Sequence, residues 1–229
     1  MERLFRADPR SCVFSEFSAL SVAPDKTAWQ PLDDVVSILQ SSGGGYSVAR
    51  SLFSSHRSAE ILDALPGSIG VWVYRDAGPV VRSMLRKWDG DFRAVSQRVE
   101  SLPDGSWDLS DFWDQVESFA AKHSGWSAGS DMAAVYAAFW YLRNQSFFDL
   151  GLDRDPRITL VSYETLTRDP RQALEFLWGK LGVGNPPATF PTQTRQPTAR
   201  SDRASPLSPE FRHLCDDLYE RLRAAEASK

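Results

Sequence analysis

Four short, largely apolar runs, Cys12 to Phe14, Tyr46 to Leu52, Ile69 to Tyr74 and Ile158 to Tyr163, are continuous rather than alternating in hydrophobicity. A strand with one wet face alternates. A strand covered on both faces does not, and such strands belong to parallel sheets flanked by helices. Helical stripes lie between the runs: Met132, Val135, Tyr136, Phe139 and Trp140; Leu174, Leu177, Trp178 and Leu181; Phe211, Leu214, Cys215, Leu218 and Leu222. The pattern predicts an α/β fold, and proline near the first turn at Gly78-Pro79 and Asp169-Pro170 marks two helix starts.

A chain of 229 residues suits one globular domain with a sizeable core, and its 42% hydrophobic and 24% charged composition is that of a folded protein. No run approaches the roughly 18 apolar residues of a membrane helix, and no apolar segment near Met1 reads as a secretory signal. Cys12 and Cys215 stand alone, which points to a reducing, cytoplasmic setting. Lys and Arg number 26 against 30 Asp and Glu, and a net charge of −4 argues against general nucleic-acid binding. Any anion must meet a local cluster. His123 and His213 have no His, Cys or Asp partners at ligand spacing, so no metal is expected. The glycine run Ser41 to Gly45 lacks the Lys-Ser/Thr of a nucleotide loop and reads as a flexible linker. Residues 184–209, with six prolines and Arg195, Arg200 and Arg203, read as a long basic loop.

The segment from Val71 to Leu85 reads strand, tight turn, helix. In open α/β sheets that connection lies at the carboxyl edge, where ligands bind and where helix N–H groups favour an anion. Arg75 at the strand end offers a planar donor fork and Ser83 a hydroxyl, so the two could converge on one phosphate. The segment resembles the 3′-phosphate-binding motif of sulfotransferases that use 3′-phosphoadenosine 5′-phosphosulfate (PAPS): a strand ending in Arg-Asp/Asn-Pro, with Ser eight residues after the Arg. Ala77 replaces the usual proline, and Pro79 comes two residues later. A second stretch, Leu160 to Leu166 followed by Asp169-Pro170, is similar to the family's strand–Tyr-Glu-Asp-Leu–Asp-Pro element.

The resemblance implies a P-loop-type three-layer sandwich, a parallel sheet flanked by helices, over roughly residues 3 to 225 as a single domain. It implies transfer of a sulfuryl group from PAPS to a hydroxyl or amine of a small-molecule or carbohydrate acceptor, leaving 3′,5′-adenosine bisphosphate. Arg75 and Ser83, with Arg195 and Arg200 from the basic loop, would grip the 3′-phosphate, and Tyr163 would lie near the adenine. Glu16 or His56 would be the base, and Arg50 stands where other branches keep a lysine. The family's first strand and its Pro-Arg-Ser-Gly-Thr-type phosphosulfate loop have no counterpart, which suggests an N-terminally incomplete domain. A nucleotide-binding module without activity, and a metabolite kinase, are the alternatives. Among the aromatics between the two motifs, Trp107 and Trp113 are expected to line a cleft and Trp140 to be core. Asn144-Gln145-Ser146 is a sequon in form only, because a helix is expected there.

Overall fold

The computed structural model describes residues 2–23, 29–51, 54–88, 110–124, 127, 132–184 and 205–228. The chain divides into two compact units, and passes from the first to the second at Val71–Trp72.

Among the described residues, the first unit holds those between 2 and 71 and those from 163 to 184. It contains α1 (Glu2–Phe5), β1 (Ser11–Phe14), α2 (Leu32–Ser41), β2 (Tyr46–Ala49), a 3-10 turn (Ser55–Arg57), α3 (Ser58–Ala64), α7 (Tyr163–Arg168) and α8 (Pro170–Leu181). Strands β1 and β2 are parallel, with Val13 opposite Val48 and Phe14 opposite Ala49. Successive side chains of a strand point to opposite faces. Val13, Tyr46 and Val48 accordingly pack on Phe5, Leu174, Leu177 and Trp178, while Phe14 and Ala49 pack with Leu20, Trp29, Val35 and Ile61. Both faces of the pair are covered, so the continuous apolar runs have the cause inferred for them. Helix α8 begins where expected: the Asp169 carboxylate accepts from the Gln172 N–H at 2.9 Å, Pro170 opens the first turn, and Gly182 ends the helix at φ 66°.

The second unit contains the end of β3 (Gly70–Tyr74), α4 (Ala77–Trp88), α5 (Ser110–Ser124), α6 (Met132–Asp149), β4 (Ile158–Ser162) and α9 (Pro209–Ala227). Strands β3 and β4 pair. Helix α6 is apolar around most of its circumference, with Ala133 to Ala138, Trp140, Asn144 and Phe147 buried, and α4, α5 and α9 pack around it. Among the described residues no helix is long and apolar enough to cross a membrane.

Several sequence expectations change. The strand expected to reach Leu52 ends at Ala49, although the Arg50 N–H still donates to the Phe14 carbonyl at 2.9 Å; Leu52 lies outside the described residues. Tyr163 starts α7 instead of ending β4. The glycine run is no free linker: Gly44 sits at φ 142°, and a Cβ there would lie 2.9 Å from the Arg10 carbonyl oxygen, a close approach that only glycine permits. Trp113 lines no cleft. It is buried and stacks on Phe139 at 5.3 Å and 15°, because Trp113, Val116 and Ala120 share the face of α5 turned to α6, whatever polar residues flank them along the chain. Trp140 is core, as expected. Asn144 is buried in α6 with its amide donating to the Trp140 carbonyl at 2.8 Å, which removes it as a glycosylation site.

Candidate functional site

In the first unit the carboxyl ends of the parallel strands bring two expected residues together. Glu16 follows β1 and Arg50 follows β2, and Arg50 Nη2 lies 3.5 Å from Glu16 Oε2. The second nitrogen of the same guanidinium, Nη1, reaches Glu2 Oε2 at 3.2 Å, and Arg6 binds Glu2 through Nε and Nη2 at 3.0 and 2.9 Å. Burial alone would raise the Glu2 carboxyl, but hydrogen bonds from Arg6 and then Arg50 outweigh it and hold the group below its usual range. Arg50 is thus held at the strand edge by two carboxylates while half of its side chain stays in water. Phe17, the next residue after Glu16, has φ 61° and is exposed. A left-handed aromatic residue is costly, so the backbone directly beyond Glu16 is held in a sparsely populated conformation. His56 lies on the exposed side of the Ser55–Arg57 turn, six residues beyond Arg50.

The amino ends of the same strands carry a polar network that sequence reasoning did not find. Asp8 is buried and accepts from the Arg10 backbone N–H at 2.9 Å, from Arg10 Nε and Nη2 at 3.0 and 2.7 Å, and from the Tyr46 hydroxyl at 2.9 Å. The Tyr46 oxygen in turn accepts from the Trp178 indole at 2.9 Å, and Arg10 Nη1 donates to the Val183 carbonyl at 2.6 Å. Hydrogen bonding from the Arg10 guanidinium is the main reason the Asp8 carboxyl falls to a pKa of about 2. The only signal in the sequence was Asp-Pro-Arg after an apolar turn.

In the second unit β3 delivers Arg75 and α4 delivers Ser83. The Arg75 backbone is fixed: its carbonyl accepts from the Trp140 indole N–H at 2.9 Å. Asp76 caps α4, its carboxylate accepting from the Gly78 N–H at 2.8 Å. Ala77, Val81 and Met84 form the buried face of α4, whereas Ser83 is exposed on the opposite side together with Arg86 and Lys87. Arg75 itself is half-buried. A Cβ on Gly78 would lie 3.9 Å from both Arg82 Nη1 and the Ser205 hydroxyl, so the residue two positions after Arg203 adjoins the start of α4. Arg195, Arg200 and Arg203 themselves, with Trp107, lie outside the described residues. Tyr163 is half-buried at the first position of α7, in the first unit.

No protein-family model matches the sequence, and no curated protein matches it. Among solved structures, the chain is similar to a sulfotransferase from Alicyclobacillus acidocaldarius, with 15% identity and a TM-score of 0.48 over 99% of this chain and 87% of that one.

Proposed function

We propose that the protein is a sulfotransferase that takes its sulfuryl group from PAPS and passes it to a hydroxyl or amine acceptor. The observation that carries this reading is the Glu16–Arg50 pair at the carboxyl ends of β1 and β2: a carboxylate and a guanidinium within 3.5 Å, at the edge where parallel strands present ligands. Support from the second unit is electrostatic. The twelve residues Ala77–Trp88 contain Arg82, Arg86 and Lys87 and no carboxylate, and among the described residues neither Arg82 nor Arg86 meets an acidic side chain within ion-pair distance. Such a face fits an anion. Asp76 already takes the Gly78 N–H, so the reading assigns a nucleotide 3′-phosphate to the side chains of Arg75 and Ser83 rather than to the helix end.

PAPS supplies a sulfur centre whose bond to the bridging phosphate oxygen breaks as the acceptor's bond to sulfur forms. Glu16 accepts the acceptor proton, a role worth roughly 10²–10⁴-fold in rate. Arg50, anchored by Glu2, stabilises negative charge on oxygen at the same edge. Arg75 and Ser83, with Arg195 and Arg200 from the basic loop, bind the nucleotide; Tyr163 contacts its adenine, and His56 is the second candidate base. The acceptor is a small molecule or carbohydrate.

The test is transfer of label from radiolabelled PAPS to naphthol, N-acetylglucosamine and octylamine. Transfer to at least one acceptor, lost by roughly 10²-fold or more in kcat in Glu16→Gln without a matching loss of nucleotide affinity, supports the reading. A protein that binds the nucleotide but labels none of the three is a binding module. Full turnover in Glu16→Gln moves the base to His56.

A further inference from the structure

Glu226 stands in the last turn of α9, where the helix dipole disfavours a carboxylate and which holds no basic residue. What holds it there is a pair of donors from two strands. Glu226 Oε1 accepts from the Ser162 backbone N–H at 3.0 Å, and Oε2 accepts from the Tyr74 hydroxyl at 2.5 Å. Ser162 is the last residue of β4 and Tyr74 the last residue of β3. One carboxylate therefore ties together the ends of the two paired strands of the second unit, immediately before Arg75. Tyr74 is almost fully buried and packs against Tyr219 of α9 at 5.6 Å, so its hydroxyl has little freedom to find another acceptor. On the other side of Arg75, Asp76 caps α4, and the Arg75 carbonyl is held by Trp140. The Arg75 main chain is thus fixed from the strand side by Glu226 through Tyr74 and from the helix side by Trp140 and the cap.

We infer that Glu226 is a positioning residue for the nucleotide site: by locking the carboxyl ends of β3 and β4 it sets where the Arg75 guanidinium points, and so how well the protein distinguishes a nucleotide carrying a 3′-phosphate. The inference rests on the proposed role of Arg75. A purely architectural Glu226 would contribute to stability alone; a positioning Glu226 also controls selectivity.

The experiment measures, by calorimetric titration, the ratio of affinities for adenosine 3′,5′-bisphosphate and adenosine 5′-monophosphate. It compares wild type, Arg75→Ala, Glu226→Ala, Glu226→Gln and Tyr74→Phe, each shown to be folded by circular dichroism. Glu226→Ala is expected to lower the ratio by roughly tenfold, a loss of the size that removing an outer hydrogen-bond partner inflicts on a ligating group. Glu226→Gln keeps an acceptor for Ser162 and a donor for the Tyr74 oxygen and should restore most of the ratio. Tyr74→Phe, which cuts one link of the two, should fall between. In the double variant with Arg75→Ala, Glu226→Ala should cost nothing further, because both changes act through one group. If wild type shows no preference for the bisphosphate, the nucleotide reading itself fails. If wild type and Arg75→Ala behave as expected while Glu226→Ala melts earlier but keeps the full ratio, the positioning role alone is overturned.

Discussion

Replacing Asp8 with asparagine removes one of the two oxygens that hold Arg10 and Tyr46, and puts an amide where an acceptor stood. Oδ1 takes the Arg10 backbone N–H and Nε, at 2.9 and 3.0 Å, and Oδ2 takes Nη2 and the Tyr46 hydroxyl, at 2.7 and 2.9 Å. Asparagine keeps the first set and faces the second with its own donors. A hydrogen bond to a charged group contributes about 1.5–3 kcal/mol, but the Arg10 guanidinium is partly open to water, which screens it. The expected loss is about 2 kcal/mol at pH 7, read as a shift of the urea midpoint at unchanged slope. The same figure follows from titration. Asp8 drops from 3.8 to about 2 on folding, and each pKa unit is worth about 1.36 kcal/mol before screening. Because the folded value is the lower one, this stability is fully present above the unfolded pKa and is lost as pH falls through the folded one. The difference between wild type and Asp8→Asn should therefore be flat from pH 7 to about 5, fall to roughly half near pH 3 and to about a sixth near pH 2, and vanish only near pH 1. A difference that persists undiminished at pH 2.5, or a variant as stable as wild type at neutral pH, refutes this reasoning.

Gly44→Ala should destabilise the protein by about 1–3 kcal/mol in the same denaturation assay, since the added carbon meets the Arg10 carbonyl at 2.9 Å and the φ of 142° suits no other residue; an unchanged midpoint would return the glycine run to a free linker. Trp113→Ala should cost about 3–5 kcal/mol through the cavity left beside Phe139, without a separate effect on acceptor affinity, whereas a stable variant with weakened acceptor binding would restore Trp113 to a cleft.

The strands were legible in the sequence because apolar side chains run unbroken along them, through β4, which is buried throughout, and through β3, although Val73 of β3 is exposed; all four appear within a few residues of their expected places. Caps were legible too, since Asp169-Pro170 is a local signal that packing did not override. Faces were harder to read than elements. Trp113 sits among Asp and Ser along the chain, yet helical geometry turns it inward, and Ser83 matches its motif by spacing while the structure sets it on the exposed side of α4. The pairing of Glu16 with Arg50 depends on the register of two parallel strands, which places the positions after Phe14 and Ala49 side by side; each residue was visible alone, but the ion pair was not. Least legible were contacts across long separations, such as Glu226 with Tyr74 and Trp140 with Arg75, because a hydrogen bond spanning 152 or 65 positions leaves no local pattern.

The most direct measurement is the affinity of the wild-type protein and of Arg75→Ala for adenosine 3′,5′-bisphosphate, with adenosine 5′-monophosphate as the comparison. Loss of a charge-assisted contact to the 3′-phosphate should weaken the bisphosphate by about 10- to 150-fold, the equivalent of 1.5–3 kcal/mol, and leave the monophosphate unchanged. Equal affinities for the two nucleotides in the wild type, or bisphosphate binding that Arg75→Ala leaves intact, would contradict the assignment of a sulfuryl-donor nucleotide to this protein.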